Sequence, residues 1–553
     1  MQLLIVYLSN HETKNKKLTV IKITNSSSEW RYTPESNSNP KQMVESHGYS
    51  LFTGWGIAAR VYIIVILILA SAVLVPSSST FYNEWSPAYA AYIKATPSVT
   101  GPIVSHPNLK VQTFFTGLQL PTSMAFLGPD DILVIEKNKG TVDRIVDGKI
   151  VKQPLLHVSV ATEVEHGMLG IAVAPGDKNV GGAGGISALA SRFVFLYYTE
   201  AGATGVHNTL YRYELVDNHL VNPKLLLSLP AASSNLAGEN SNHNGGKVVI
   251  GPDNNVYIVI GDVGGHEGQA QNIKNGGLLD GTSGILRVTQ DGKPVGARIM
   301  GNSSSVNAYY AYGIRNSFGM DFDPLTGKLW DTENGPEYGD EINIVDPGFN
   351  SGWSKIQGIW LTSGPKPGPV APTNPGSKLL VDFDGKGKYR APEFTWLPTI
   401  GPTALKFLNS PKLGSPYQND LFVGDVNTGN LYHFKLNPTR DGLLLTGPLA
   451  DKVGNTLDEL QDVIFGQGFG TITDLQIGPD GYLYVLTLAG TIYRIVPSFD
   501  SSASNDGSKS DNNNSHNDGT VSDNTDKLRN SHPADTGGTL TPGQLHEVPN
   551  NSG

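Results

Sequence analysis

One pattern recurs along most of this chain: a turn signal followed by a short run of alternating apolar residues. Its copies read GPDDILVIEKNKGTVDRI, SRFVFLYYTEAGATGVHNTLYRYEL, GPDNNVYIVIGD, DPLTGKLWDTENG, NDLFVGDVNTGNLYHFKL and GPDGYLYVLTLAGTIYRI. Asp-Gly and Asp-Asn turns before alternating runs are strong signals for β-hairpins. Six such units with almost no helical periodicity between them predict an all-β fold, a six-bladed β-propeller. A propeller of five or seven blades, or a large β-sandwich, is the alternative.

Composition agrees with a turn-rich globular protein and excludes several functions. The chain has 64 glycines and 35 prolines, and only 16% of its residues are charged. A formal net charge of −10 without a visible basic patch argues against nucleic acid as a partner. The absence of cysteine excludes disulfides, zinc–thiolate sites, iron–sulfur clusters and thiol catalysis.

The N-terminal part of the chain contains a targeting or membrane signal. A polar, mildly basic extension, 1–56, precedes an apolar segment, 57–76, which includes RVYIIVILILASAVLVP. This length is typical of a signal sequence or a short transmembrane anchor, with a buried core helix as the alternative. Because basic residues outnumber acidic ones before the segment, we expect the rest of the chain on the extracellular face of the membrane, anchored or secreted. Either synthesis starts at Met43, or the segment is an uncleaved anchor.

The remaining boundaries follow from composition. We expect a linker over 77–108 and the propeller over 109–497. Residues 498–553 are rich in Ser, Asn and Asp and have almost no large apolar residues, which predicts a disordered tail.

The loop before one of the clear repeats places a histidine among small and polar residues, in NHNGGKVVIGPDNNVYIVIGD. A loop histidine is often a solvated or hydrogen-bonded structural residue. Here Asn242 can orient the imidazole of His243, Gly245 and Gly246 allow a ligand close to the backbone, and Asp262 ends the following strand. Since a neutral imidazole suits removal of a proton from an alcohol, His243 is a candidate general base.

Two further loops carry groups that could bind an anion and a cation. In YGIRNSFGMDF, Arg315 and Asn316 either anchor an anion or carbonyl or have a structural role at a blade edge. In ENGPEYGDEIN, the four acids and the loop carbonyls near Gly335 and Pro336 fit calcium, although the spacing is not that of an EF-hand and a solvated loop is the alternative. The chain has no phosphate loop, nucleophile elbow or HExxH motif.

The motifs EHGMLG, NHNGGKVVIGPDNNVYIVIGD, YGIRNSFGMDF, NGPEYGDEIN with GFNSGW, and GPDGYLYVL occur in this order across the whole body. The ordered set resembles the glucose/sorbosone dehydrogenase family, the soluble aldose sugar dehydrogenases. The resemblance implies a six-bladed propeller that uses pyrroloquinoline quinone (PQQ) and calcium. Its activity would be oxidation of an aldose at C1 to the lactone, with electrons passed to an external acceptor.

The resemblance also implies roles for individual residues. His243 would be the general base, and Arg315 would stabilise charge that develops on the quinone. The other cofactor-binding positions are Glu165, Asn242, Asp262, Asn316, Asn427 and Thr473. The calcium positions are the carbonyls of Gly335 and Pro336, then Glu341 and the backbone near Ser351.

The chain departs from the family at two basic positions in the last two blades. Members usually carry a lysine in the equivalent of GDVNTG and arginines in the equivalent of GTITDL, where this chain has Asn427, Thr471 and Thr473. PQQ carries three carboxylates, and each lost charge-assisted contact costs about 1.5–3 kcal/mol. Two alternatives therefore stay open: a non-catalytic cell-surface propeller that binds a partner or glycan, and a calcium-dependent hydrolase such as a lactonase.

Overall fold

The computed structural model describes the backbone of residues 2–9, 17–26 and 29–34, and it describes residues 101–174, 192–202, 205–231, 241–265, 272, 279–295, 299 and 307–498 in full. The predicted apolar segment 57–76 lies outside these residues, as does the predicted tail after Ser498. No helix among the described residues is long and apolar enough to cross a membrane.

The chain divides into two compact units, Met1–Thr100 and Gly101–Gly553. In the first unit, three strands form an antiparallel sheet in chain order: β1 (Gln2–Ser9), β2 (Lys17–Ser26) and β3 (Glu29–Pro34). The second unit begins at Gly101, within the segment expected to be a linker.

The second unit is built almost entirely of strands. In chain order they are β4 (Ile103–Val104), β5 (Leu109–Thr116), β6 (Pro121–Gly128), β7 (Asp131–Glu136), β8 (Thr141–Val146), β9 (Lys149–Ile150), β10 (Leu156–His157), β11 (Met168–Val173), β12 (Arg192–Gly202), β13 (Gly205–Val216), β14 (His219–Pro230), β15 (Val248–Ile250), β16 (Val256–Ile260), β17 (Gly284–Val288), β18 (Tyr309–Tyr312), β19 (Gly319–Phe322), β20 (Leu329–Glu333), β21 (Asp340–Val345), β22 (Phe349–Asn350), β23 (Ile356–Gln357), β24 (Trp360–Leu361), β25 (Lys388–Tyr389), β26 (Phe394–Trp396), β27 (Pro402–Phe407), β28 (Leu421–Asp425), β29 (Leu431–Phe434), β30 (Val453–Gly454), β31 (Ile464–Gln467), β32 (Ile472–Ile477), β33 (Leu483–Thr487) and β34 (Thr491–Pro497).

Helices are short in the part of the chain that the structure describes. They are one α-helix, α1 (Gly376–Leu379), and the 3₁₀-helices Ser415–Tyr417, Gly447–Asp451 and Glu459–Val463.

These strands form an all-β propeller. In the described residues of this unit, six sheets have four to six strands each. Sheet 1 contains β6 to β10, sheet 2 β11 to β14, sheet 3 β15 to β18 with β22 and β25, sheet 4 β19 to β21 with β26 and β30, sheet 5 β27 to β29 with β31 and β4, and sheet 6 β32 to β34 with β5. The separate hairpin β23–β24 completes the unit. The six repeats of the sequence supply the second strands of these six sheets, which are β7, β12, β16, β20, β28 and β33.

The start of the unit pairs with its end. Strand β5 is antiparallel to β34, with Leu109 opposite Pro497, and β4 is antiparallel to β31, with Val104 opposite Gly466. These pairings connect the first strands of the unit to sheets 5 and 6, so the ring of sheets is held closed by backbone hydrogen bonds.

The second strands are apolar on both faces because each sheet packs between two neighbours. All five residues of β16 are buried. Val256 and Ile258 pack with Phe195 of sheet 2, whereas Tyr257 packs with Met320 of sheet 4. Alternate residues of one strand thus contribute to two different cores. Each fully buried side chain of this size contributes about 1.5–3 kcal/mol.

Candidate functional site

The loops that carry the sequence motifs meet because backbone hydrogen bonds join the loops of neighbouring sheets. Glu165 N donates to the Ser241 carbonyl at 3.1 Å, which connects the loops before β11 and β15. Asp262 N donates to the Arg315 carbonyl at 2.9 Å, which connects the loop after β16 to the loop before β19. Three of the predicted site residues, Glu165, Asp262 and Arg315, are thereby brought into one region by loops of three sheets.

His243 is buried and its ring is held by an acid. Its Nδ1 lies 2.5 Å from Asp262 Oδ1, and Trp353 Nε1 donates to Asp262 Oδ2 at 2.9 Å. His243 has a φ of +60°, a conformation that is uncommon for residues other than glycine and is concentrated at functional sites. Among the described residues Asp262, rather than Asn242, contacts the imidazole, and the side-chain oxygen of Asn242 is buried without a hydrogen-bond partner.

The glycines of this region allow close backbone packing. A Cβ on Gly245 would lie 2.5 Å from the Val259 carbonyl oxygen. A Cβ on Gly261 would lie 2.5 Å from the Arg315 carbonyl oxygen and 2.6 Å from that of His243. Gly245, which the sequence predicts to admit a ligand, does line a cavity, but its lack of a side chain is first required by the neighbouring strand.

Arg315 is held firmly by the protein. Its Nη1 donates to the carbonyls of Asn334 at 2.8 Å and Gly335 at 3.0 Å, and its guanidinium lies 5.5 Å from the centre of the Trp353 ring. Its backbone N–H donates to Glu333 Oε1 at 2.7 Å. Burial lowers the pKa of Arg315 from its ordinary value, and nearby carboxylates, first that of Asp262, oppose the shift.

Asn316 and Glu165 connect the same loops through their side chains. Asn316 Oδ1 accepts a hydrogen bond from Gly245 N at 3.2 Å, and its Nδ2 lies 3.4 Å from Glu165 Oε2. Glu165 Oε2 also accepts from Asn244 N at 3.0 Å. Both predicted residues therefore hold the histidine loop, and Glu165 in addition lines the cavity.

This cavity of about 290 Å³ lies where the sheets converge. Every sheet contributes a residue to its wall: Thr122, Leu169, Lys247, Phe318, Thr403 and Thr473. Propellers bind ligands at such a central position. His243 is not among the lining residues, but it lies two positions before Gly245 in the same loop. The cavity and the histidine are thus adjacent parts of one site.

Of the two positions that lack the basic residues of the family, Thr473 and Asn427, one lines the cavity and the other does not. Thr473 lines the cavity, and its hydroxyl donates to the Pro121 carbonyl at 3.0 Å. Asn427 is not a lining residue, although its neighbour Val426 is.

Two lysines that the sequence analysis did not select, Lys137 and Lys247, line the cavity instead. Their positions in the sequence could have identified them as site residues. Lys137 follows β7 of sheet 1 as Asp262 follows β16 of sheet 3, and Lys247 lies in the histidine motif itself. A cavity with cationic and hydroxyl groups on its wall fits a small polycarboxylate such as PQQ.

The predicted calcium positions at Glu341 and Ser351 are already engaged by the protein. Glu341 Oε1 accepts from Gly358 N at 2.5 Å and Gln357 Nε2 at 3.0 Å, and its Oε2 accepts from Asn343 Nδ2 at 3.0 Å and Ser351 Oγ at 3.2 Å. Burial, with the neighbouring acid Glu333 as the second cause, raises the pKa of Glu341 well above its ordinary value. A carboxyl group whose two oxygens already accept four hydrogen bonds does not fit a cation ligand as it is placed here.

The carbonyl of Gly335 does not fit calcium in this arrangement either. It accepts a hydrogen bond from Arg315 Nη1, so a cation at this oxygen would lie against the guanidinium charge. In the described part of the chain, no group donates a hydrogen bond to the Pro336 carbonyl. Among the described residues, no group of three or more His, Asp or Glu side chains is arranged to hold a metal ion.

The sequence profile of the family described as Glucose / Sorbosone dehydrogenase matches residues 118–494. The chain is 27% identical over 404 residues to aldose sugar dehydrogenase YliI of Escherichia coli, which covers 70% of this chain and 93% of that protein. It is 24% identical over 481 residues to quinoprotein glucose dehydrogenase B of Acinetobacter calcoaceticus, which covers 76% of this chain and 93% of that protein.

A solved structure gives the same result at the level of the fold. The crystal structure of the soluble aldose sugar dehydrogenase of Escherichia coli in the apo form superposes with a TM-score of 0.52 at 25% identity, and covers 70% of this chain and 99% of that one. The profile match covers strands of all six sheets, with only β4, β5 and the end of β34 outside it, and every loop of the site described above. The chain therefore belongs to the glucose/sorbosone dehydrogenase family, whose members are oxidoreductases.

Proposed function

We propose that this protein oxidises the C1 hydroxyl of an aldose sugar to the lactone with PQQ as its cofactor. The observation that carries the proposal is the chain of contacts from Trp353 through Asp262 to His243. Family membership and the names of the relatives, aldose sugar dehydrogenase and quinoprotein glucose dehydrogenase, support the substrate class and the quinone.

His243 is the general base of the proposed reaction. Because Asp262 accepts a hydrogen bond from Nδ1–H, the lone pair of Nε2 is free to accept a proton from the sugar hydroxyl. The carboxylate 2.5 Å away stabilises the imidazolium that results, and the indole N–H of Trp353 keeps this carboxylate in place. The protein thus supplies an oriented base in a site largely shielded from water.

PQQ, when bound, supplies the acceptor for the hydride. The cavity residues Lys137, Lys247 and Thr473 would hold it, with Arg315 and Asn316 close to the same loops. No step of this mechanism uses calcium, because the residues assigned to it do not fit a cation as they are placed here.

Further parts of the proposal come from the sequence. We propose, first, that each of the six sheets is one blade. Second, the propeller acts on the extracellular face of the membrane, anchored or secreted through segment 57–76. Third, an external acceptor takes the electrons. The order of strands within the sheets supports the first statement. The apolar run supports the second.

The test is a titration of the full chain with PQQ, followed by dye reduction with a panel of aldoses. We expect saturable binding and turnover, and loss of turnover but not of binding in His243→Asn. His157→Asn, at an exposed histidine of sheet 1, is the matched control and should behave as the wild type. Absence of PQQ binding by a folded protein would refute the proposal and favour a non-catalytic propeller.

A further inference from the structure

Lys137 lies on the wall of the cavity, at a position that the backbone determines. Its N–H donates to the Leu120 carbonyl at 3.0 Å, and its carbonyl accepts from Met168 N at 2.9 Å. The residue therefore bridges sheets 1 and 2 at the end of β7. Its Nζ donates to Asn138 Oδ1 at 3.1 Å.

The charge of Lys137 is not neutralised by an ion pair. In the described part of the chain, no carboxylate oxygen lies within 4.0 Å of its Nζ. Lys247, the other lysine of the cavity, is different: its Nζ lies 2.5 Å from Asp474 Oδ1, and both side chains are buried. Asp474 Oδ2 is held in turn by Ser123 Oγ and Met124 N, at 2.8 and 2.9 Å. Among the described residues of this wall, Lys137 is thus the lysine without an ion-pair contact.

The surroundings of Lys137 disfavour its charge in the absence of a ligand. Burial lowers the pKa of Lys137 to about 8, and Glu165, a lining residue of the same cavity, acts in the opposite direction. Partial desolvation of a cation without an ion-pair partner is unfavourable, and binding of an anion from the cavity would relieve it. Lysines with these properties in clefts are candidates for ligand binding.

We propose that Lys137 binds a carboxylate of the quinone cofactor, in place of the basic residues that are missing at Asn427 and Thr473. This inference rests on the proposed function, because it takes the anion in the cavity to be PQQ. It assigns the compensating charge to sheet 1, which packs against sheet 6, the sheet that carries Thr473. PQQ would then lie in this cavity in an orientation that directs a carboxylate to Lys137.

A purely structural role for Lys137 makes a different prediction. Its stem packs against Gly167, where a Cβ would lie 2.5 Å from Lys137 Cγ. Methionine retains most of this stem and removes the charge. If Lys137 serves stability, Lys137→Met lowers the melting temperature. If it serves anion binding, the variant is at least as stable as the wild type without ligand, because a poorly solvated charge is gone.

The experiment compares four forms of the full chain: wild type, Lys137→Met, Lys137→Arg and Lys149→Met. Lys149 is exposed on the same sheet, so its substitution removes one charge outside the cavity. PQQ affinity is measured by calorimetric titration and the melting temperature is measured without ligand. We expect Lys137→Met to weaken binding about 10- to 100-fold, Lys137→Arg to stay within a few-fold of the wild type, and Lys149→Met to bind normally.

The outcomes separate this inference from the proposed function. If the wild type binds PQQ and Lys137→Met binds it equally well, the role of Lys137 is refuted and the proposed function stands. A lower melting temperature in Lys137→Met, together with weak binding by Lys137→Arg, would assign a structural role and also refute the inference. If the folded wild type does not bind PQQ, both are wrong.

Discussion

His243 Nδ1 and Asp262 Oδ1 are 2.5 Å apart, although 19 residues separate them in the chain. Strands β15 and β16 lie between the two residues, so one hairpin of sheet 3 carries both the base and the acid that orients it. Asp262 is held independently by Trp353 from a loop 91 residues further along. The geometry of the base therefore depends on a local hairpin and on one distant contact.

Asp262→Asn should reduce turnover by about 100-fold or more, because an amide can neither fix the required tautomer of His243 nor stabilise its protonated form. Steady-state dye reduction measures this effect, and the PQQ titration should be unchanged. Asp420→Asn is the matched control, since Asp420 Oδ2 contacts His433 Nε2 at 2.9 Å in a histidine–aspartate pair of sheet 5. An equal loss of turnover in the two variants would contradict a special role for Asp262.

Gly261→Ala should destabilise the protein by about 1–3 kcal/mol, because the new Cβ would overlap the carbonyls of Arg315 and His243. We also expect lower activity, since the loops after β16 and before β19 must separate. Urea unfolding measures the first effect. Gly128→Ala, with nothing within 4 Å of the added Cβ, is the control. Normal stability in Gly261→Ala would show that the loops are less closely packed than described.

The pH dependence of stability should contain a contribution from Asp425. Burial raises the pKa of Asp425 from 3.8 to about 7, against the hydrogen bonds that Thr428 and Gly429 donate to it. A carboxyl group whose pKa is higher in the folded state stabilises the fold at low pH. This contribution is lost as pH rises from about 4 to about 7, with a slope of at most about 1.4 kcal/mol per pH unit.

Asp425→Asn removes this titration and keeps an acceptor for the two backbone donors. The free energy of unfolding of the variant, measured in urea between pH 4 and 8, should therefore fall less steeply with pH than that of the wild type. Asp451→Asn, at an exposed acid, serves as the control. Parallel pH profiles of the wild type and Asp425→Asn would show that Asp425 does not titrate in this range.

Calcium alone should not stabilise the protein. The Gly335 carbonyl is bonded to Arg315, and Glu341 already has four donors. At about 1 mM, where weak extracellular calcium sites fill, the melting temperature without PQQ should stay unchanged. Magnesium at the same concentration controls for ionic strength. A rise in melting temperature that is specific to calcium would show that Arg315 moves away from the Gly335 carbonyl, and it would support the predicted calcium positions.

The sequence by itself determined the propeller fold, the six repeats and the loops that carry the candidate site residues. Turn signals and apolar runs act over a few residues, so they identify β16 and place His243 and Asp262 at its two sides. The family motifs added Glu165, Arg315 and Asn316, and the structure brings all three close to the histidine loop. The positions of these residues could be predicted because each motif occupies a short stretch of the chain.

Only the tertiary structure decided which distant groups meet. The contact of Trp353 with Asp262, the position of Lys137 in the cavity and the engagement of Gly335 by Arg315 require that the sheets are closed into a ring. Strand pairing between β5 and β34 closes this ring, and no local pattern encodes that pairing. The physical reason is that hydrogen bonding and burial at the axis depend on side chains from every sheet at once, whereas periodicity in the sequence reports only one strand at a time.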